Sequence, residues 1–291
     1  MFDVLVNGHK TSDYTNIWVA NIPQIQPSET ERDRYTIPQR DGDMLSAYYR
    51  RTSAYIEVTF HALNILQNRR IIKSVFCNQI NEVLKTSITF PTISIINRVN
   101  GVDSYDSYFN IKNAVITEEE LRDGDYGRVT IQYEVEPFEY MRTDTEFEQI
   151  VPHTTSPLEN PIIVRVHNDG DLCKPLINIT PLASGKVTTA YNFGVGLTID
   201  EESESIIVYP SKVGTGLTRY AYCDTSLMYT YLTNGTTVTL DTVTLGEEYF
   251  TQHNYEDLWI PNGTHDIRFM NVALNNYSTK VNIKLRKGYV I

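Results

Sequence analysis

The chain has only three cysteines, Cys77, Cys173 and Cys223, and they stand far apart in 291 residues. With no C-x-x-C pair and no Cys/His cluster, neither a disulfide framework nor a structural zinc site is expected, and the thiols read as those of a reducing cytosol. The six histidines include no H-E-x-x-H or H-x-H spacing, which removes the usual catalytic-metal arrangements. Walker loops, dinucleotide fingerprints and G-x-S-x-G elbows are absent too. No apolar run approaches the roughly 20 residues a membrane helix needs. Met1 to Ala20 carries Asp3, Lys10 and Asp13 and lacks the apolar core of a signal peptide. Positive charge is scarce. Against 36 acidic residues stand 25 basic ones, a net charge of −11, divided as −7 over residues 1–150 and −4 over 151–291. A surface of that sign repels phosphate and argues against nucleic-acid binding by counterion release.

What is present suits ordered, mainly β structure. Hydrophobic residues make up 41% and charged residues 21%, enough apolar mass for one large or two ordinary cores. Phe2 to Val6 and Ile17 to Val19 read as short strands, with an Asn7-Gly8 turn between them. Ala54 to Phe60 alternates cleanly, and so does Val129 to Val135, which stops at Pro137 because proline cannot donate to a ladder. One segment, Asn64 to Leu84, has helical period: Ile72, Val75, Phe76, Ile80, Val83 and Leu84 recur at three- and four-residue steps. Asn64 or Asn68 is its candidate cap. The fold class is therefore mainly β, an α+β N-terminal domain with one helix followed by an all-β C-terminal domain. The expected boundaries are 1–145, a connector at 146–160 rich in charge, then proline and hydroxyls, and 161–291. In the second domain, candidate strands such as Ile162–Val166, Leu176–Ile179, Val187–Tyr191, Val238–Leu240, Leu258–Ile260 and Val281–Leu285 alternate with turn signals, among them Asn168-Asp169-Gly170 and Asn262-Gly263, the pattern of a sandwich or barrel.

Catalytic signals are poor. His265-Asp266 reads as a solvent-facing turn pair. His167-Asn168-Asp169-Gly170-Asp171 has calcium-loop oxygens but no bidentate Glu, so an ordinary turn is the better reading. Glu118-Glu119-Glu120 has the composition of a carboxylate pair for glycoside chemistry, yet beside Arg122-Asp123-Gly124 it reads as a solvated loop. No enzyme, metal or cofactor is expected. Twenty tyrosines are the oddity. They fit sugar stacking, with Trp259 and Tyr222 as candidate contacts, or a subunit surface, or plain strand preference. Composition alone does not separate the last two.

The order of motifs resembles a known family. Ile37-Pro38 with Arg40-Asp41-Gly42, Arg50-Arg51 leading into the strand at Tyr55 to Phe60, a single helix, and a strand ending Pro137-Phe138-Glu139-Tyr140 resemble the N-terminal domain of siphophage distal tail proteins. Asn168-Asp169-Gly170, Lys174-Pro175-Leu176-Ile177-Asn178-Ile179, Ile206-Ile207-Val208-Tyr209 and Gly263-Thr264-His265-Asp266-Ile267 are similar to that family's galectin-like β-sandwich. One departure is the turn after Ile179, which reads Thr180-Pro181-Leu182-Ala183-Ser184-Gly185. The resemblance spans essentially the whole chain.

It implies a homohexameric ring whose N-terminal domains form a belt continuing the tail tube, at the virion tail tip or baseplate, after synthesis in the bacterial cytoplasm. The implied partners are the tail tube protein, the tape-measure protein, the tail-associated lysin and receptor-binding or baseplate proteins. DNA passes only in transit through the lumen, which an acidic wall suits, and no membrane is involved. Residues Arg40, Asp41, Gly42, Pro137 and Phe138 carry the structural motifs. The alternative is a carbohydrate-binding module used in host-cell adhesion. A second domain of about 130 residues leaves no space for an inserted sugar-binding module.

Overall fold

Alternation along a few long strands organises both halves of the molecule. The computed structural model describes residues 2–36, 43–87, 89–99, 102–122, 125–142, 145–152, 161–182, 195–200, 206–208, 220–225, 229–233, 243–244, 258–271 and 278–291. The chain divides into two units, Met1–Arg142 with Val290–Ile291, and Thr143–Tyr289.

The first unit holds β1 (Asp3–Val6), β2 (His9–Lys10), β3 (Ile17–Val19), β4 (Gln24–Gln26), β5 (Thr30–Thr36), β6 (Asp43–Arg51), β7 (Ala54–Leu63), α1 (Ile65–Lys73), α2 (Gln79–Thr86), β8 (Thr92–Val99), β9 (Val102–Ser104), β10 (Ser107–Arg122), β11 (Tyr126–Val135) and β12 (Phe138–Met141). All its strand pairings are antiparallel. β11 lies between β7 and β10, and β7 also takes β3 at one end and β4 at the other. The first residues of β10 pair instead with β8 and β12, and β8 carries β1 on its other side. β10 thus belongs to two half-sheets, and irregular register at Ile111/Asn113 lets it bend between them. On the opposite side a single bridge, Phe2 to Val19, brings the half-sheets together. As the sequence predicts, Asn7 and Gly8 make a two-residue turn with φ of 47° and 86°, the left-handed pair that β1 and β2 require.

Alternate residues of β7 and β11 point inward: Ile56, Val58 and Phe60 pack with Val129, Ile131 and Tyr133 and with Ile72, Phe76 and Ile80 of the helical segment. Each such side chain, fully buried, contributes about 1.5–3 kcal/mol. The helix is not continuous. Residues Ser74–Asn78 form a π turn between α1 and α2. Asn64 starts it in the left-handed region without a side-chain cap, while Asn68 reaches back and donates to the Leu63 carbonyl at 2.6 Å. Gly127 is required by close approach. A Cβ there would lie 2.6 Å from both the Glu120 carbonyl oxygen and Ile65 Cγ1.

The second unit has β13 (Thr145–Val151), β14 (Ile162–Cys173), β15 (Leu176–Leu182), β16 (Val195–Ile199), β17 (Ile206–Val208), β18 (Tyr220–Asp224), β19 (Tyr229–Thr233), β20 (Val243–Thr244), β21 (Ile260–Asn271), β22 (Ser278–Leu285) and β23 (Lys287–Val290). They form two stacks, β17-β16-β21-β14-β23 and β13-β22-β15-β18-β19-β20. Val166, Leu197, Ile267 and Phe269 of the first join Val151, Ile177, Ile179, Val281 and Ile283 of the second in one core. The unit is a two-sheet sandwich. Thr145–Val151, which runs from the last residue of the expected first domain into the stretch expected as connector from 146, is a strand that pairs with β22 over its full length.

The readings of two turn motifs and of the triple-Glu run are corrected here. Asn168-Asp169-Gly170 is no reversing turn but a bulge inside β14, opposite the Asn262-Gly263 point of β21, which is likewise continuous strand. The cause is a reciprocal exchange of side chains for ladder bonds. Asn168 donates to the carbonyls of Ile260 (2.9 Å) and Pro261 (3.2 Å), and Asn262 donates to that of Gly170 (3.0 Å). Glu118 to Glu120 is strand within β10, not loop. The strands expected at Val187–Tyr191 and Val238–Leu240 lie outside the described residues.

Candidate functional site

The motif residues Arg40, Asp41 and Gly42 lie outside the described residues. Pro137 and Phe138 sit where β11 gives way to β12. The Pro137 carbonyl accepts from the Ile291 amide (3.3 Å), and the Ile291 carbonyl accepts from the Ser28 amide (2.9 Å) and hydroxyl (2.7 Å). Phe138 begins an aromatic column. Its ring centroid is 6.2 Å from that of Tyr140, which stacks on Tyr108 at 5.6 Å. The Arg142 guanidinium stands 5.7 Å over Tyr108 and 4.6 Å over Tyr105, with Lys10 5.9 Å over Tyr105. A cation over each ring face adds about 0.5–1 kcal/mol at such half-open sites. Under the column the buried Glu136 carboxylate accepts from Asn110 Nδ2 and the Tyr140 hydroxyl, both at 2.8 Å. Sequence reading singled out Phe138 and the tyrosines, but not Arg142, which links them.

The outward face of β3, β7 and β11 carries a second aromatic group. Trp18 stacks on His61 (5.9 Å, 19°) and His61 on Tyr126 (5.9 Å, 25°), with His61 Nδ1 2.5 Å from the Tyr126 hydroxyl. Beside it Arg128 binds Glu118 (2.8 Å) and Glu120 (2.7 Å). Glu119, one residue out of phase, turns to the helical side and meets Lys73 and Arg69. The hydrogen bond from Lys73, with that from Arg69, holds its carboxyl below the usual carboxylate range despite partial burial. The triple-Glu run is therefore divided between two faces and ion-paired on both.

In the second unit the candidates Trp259 and Tyr222 have separate sets of partners. Tyr222 is almost buried on β18, opposite Asn178. The Trp259 indole N–H donates to the Thr225 carbonyl (3.0 Å), and the buried Lys174 ammonium stands 4.7 Å over its ring. Lys174 and Arg286 mark the two places where the chain passes between sheets, from β14 to β15 and from β22 to β23. They are tied to each other: the Lys174 amide donates to the Arg286 carbonyl (3.2 Å), and Arg286 Nε to the Lys174 carbonyl (3.0 Å). The rest of the Arg286 fork grips Asp224 at 3.1 and 2.5 Å.

His265 and Asp266 lie on β21, not in a turn. Asp200, held at a φ of 56° just past β16, accepts from His265 Nδ1 (2.7 Å) and the Asp266 amide (2.9 Å). Arg165 binds Asp266 through both arms of its fork, at 2.8 and 3.2 Å. Burial pulls the His265 pKa down, but the hydrogen bond to Asp200, with those to backbone carbonyls, outweighs it and the net shift is upward. Asp200 is lowered, chiefly by His265. Among the described residues no group of three or more His, Cys, Asp or Glu is placed to hold a metal ion, and no helix is long and apolar enough to cross a membrane. These geometries clamp strands and corners.

No protein-family model and no curated protein matches this chain. Two solved structures are similar along nearly its whole length. One is described as SPP1 Dit (gp 19.1) protein, a hub of the adsorption apparatus in phages infecting Gram-positive hosts. It is 13% identical with a TM-score of 0.46, and all of both chains is covered. The other is the phage P2 baseplate in its activated, calcium-bound conformation, 10% identical with a TM-score of 0.48, covering 98% of this chain and 97% of that one.

Proposed function

We propose that this chain is a structural hub of a long non-contractile phage tail. It forms a hexameric ring between the tail tube and the baseplate or tip, and anchors the lysin and receptor-binding proteins around a lumen that DNA traverses. The observation that carries this reading is an order of parts: a one-helix α+β unit closed by the strand that ends at Pro137-Phe138, followed by an all-β sandwich. The motifs occur along the sequence in the order the distal tail resemblance implies. A net charge of −11 suits a wall past which DNA must slide. The side-chain clusters fit as well, because they stiffen strand ends and corners, which a load-transmitting ring needs. The test is size-exclusion chromatography with light scattering, followed by negative-stain imaging. Six-fold rings are the expected result, and a chain that stays monomeric at high concentration overturns the reading.

A further inference from the structure

Building on the ring reading, we infer that copies of this chain join through a basic stripe along α1, which takes an acidic surface of the next copy. Helical spacing fixes the stripe. Ile65, Asn68 and Ile72 are the buried residues of α1 and anchor it to the sheet. Leu66, Arg69, Arg70 and Lys73 recur at three- and four-residue steps and so share a second side of the same helix. Arg70 is exposed there, and Leu66 is 63% exposed.

β10 widens the stripe. Glu119, on the helical side of that strand, binds Arg69 at 3.0 Å and also Lys73. Leu121 lies two residues further on in unbroken register, so it is on the helical side too. It stands opposite Gly127, whose missing Cβ leaves the space that Ile65 of α1 fills. Leu121 is 51% exposed. The patch therefore holds three cations against one carboxylate, with an exposed leucine on the helix and another on the strand. The leucines offer apolar area to bury, and the cations set the sign of the partner.

Charge selects the occupant. From Ile65 to Thr86 the helical segment holds four of the chain's 25 basic residues and one of its 36 acidic ones. Elsewhere 21 basic residues stand against 35 acidic ones. The helical segment is thus a positive island on an acidic molecule, and a second copy presents the opposite sign. The same signs exclude a two-fold contact of stripe with stripe, which would set Arg69, Arg70 and Lys73 against their own equivalents. A contact between two unlike surfaces is heterologous, and it generates a ring when the rotation closes.

The experiment compares the full chain with two variants by sedimentation velocity and negative-stain imaging, at about 50 mM and about 500 mM salt. One variant carries Leu66→Ala with Arg70→Glu, neither of them a core position and both replaced by good helix formers. The other carries Lys85→Glu, which makes the same change in net charge on α2, outside the stripe. The full chain is expected to form rings that loosen at the higher salt. The stripe variant should assemble at least about thirtyfold more weakly, with its thermal transition unchanged, while Lys85→Glu assembles as the parent does. Full assembly by the stripe variant, equal loss in Lys85→Glu, or rings that high salt does not weaken overturn the stripe contact and leave the ring standing. A full chain that never assembles at either salt overturns the ring, and this contact with it.

Discussion

The Tyr133 hydroxyl, at the centre of β11, donates to the Phe76 carbonyl at 2.8 Å inside the π turn. Both residues are fully buried. Burial of the phenol, with a smaller contribution from the Cys77 thiol, pushes its ionisation well above the ordinary value, so it remains a donor at every working pH. Nearby, Asn81 holds the Ala114 backbone from both sides, donating to its carbonyl (2.8 Å) and accepting from its amide (3.2 Å). The helix is thereby bonded to the sheet as well as packed on it. Tyr133→Phe keeps the ring and removes the bond, and urea unfolding should show a loss of about 1–2 kcal/mol with an unchanged slope.

Gly127 and Gly8 are needed for different reasons. Gly127→Ala drives a methyl into the Glu120 carbonyl and the Ile65 side chain, an overpacking that should cost about 1–3 kcal/mol. Gly8 has open space around it but a φ of +86°, so Gly8→Ala should cost about 1–2 kcal/mol from backbone conformation alone. Ile65→Ala, which removes the clashing Cγ1, separates the two in double-mutant thermal melts: it should offset part of the loss at position 127 and none at position 8.

Asp200 and His265 make the sandwich sensitive to pH in opposite directions. The folded pKa of His265 lies above its unfolded value, near 6.5. Its contribution is therefore complete below about pH 6.5 and lost as pH rises through the folded value. Asp200 is lowered; its contribution is present above about pH 4 and lost as acid protonates it. Urea unfolding at about pH 6 and pH 8.5 should show the lower stability at the higher pH, and His265→Gln should shrink that difference. Titration of the His265 ring by NMR gives the direction independently.

Trp259→Ala should destabilise the second unit by about 2–4 kcal/mol, because it removes a half-buried ring, the bond to Thr225 and the partner of Lys174. Trp259→Phe should recover most of that loss without the indole N–H. If the ring instead served sugar binding, glycan-array signal would vanish with Trp259→Ala while the melting temperature held, and that outcome would favour the carbohydrate-binding reading.

Much of this architecture is legible in the sequence where one local rule acts alone. Ile56, Val58 and Phe60, like Val129, Ile131 and Tyr133, alternate because one face of each strand is buried, and Asn7-Gly8 signals its turn because left-handed backbone favours those residues. Legibility fails where a distant partner overrides the local preference. Asn168-Asp169-Gly170 and Asn262-Gly263 both have turn composition, yet they cancel each other across a ladder, each Asn supplying the bond that the other strand's backbone lacks. Glu118 to Glu120 reads as solvated until Arg128, Arg69 and Lys73 arrive from other elements. The π turn is hidden for a similar reason. Val75, Phe76 and Ile80 keep a helical spacing, and only the hydroxyl of Tyr133, 57 residues away, shows which carbonyl the turn presents. Asp200 and Arg142 carry no local signal at all, since each acts through groups from other strands.

β10 is sixteen residues long and is shared, its start with β8 and β12 and its end with β11. Neither half-sheet can melt without taking a strand from the other, so the amides of β1 and β8 should exchange with solvent at the same rate-limiting opening as those of β7 and β11. The first unit should then behave as a single foldon, slow to form because its decisive pairings, such as Asp3 with Ile96, span most of its length. Such a body holds its shape until it fails as a whole.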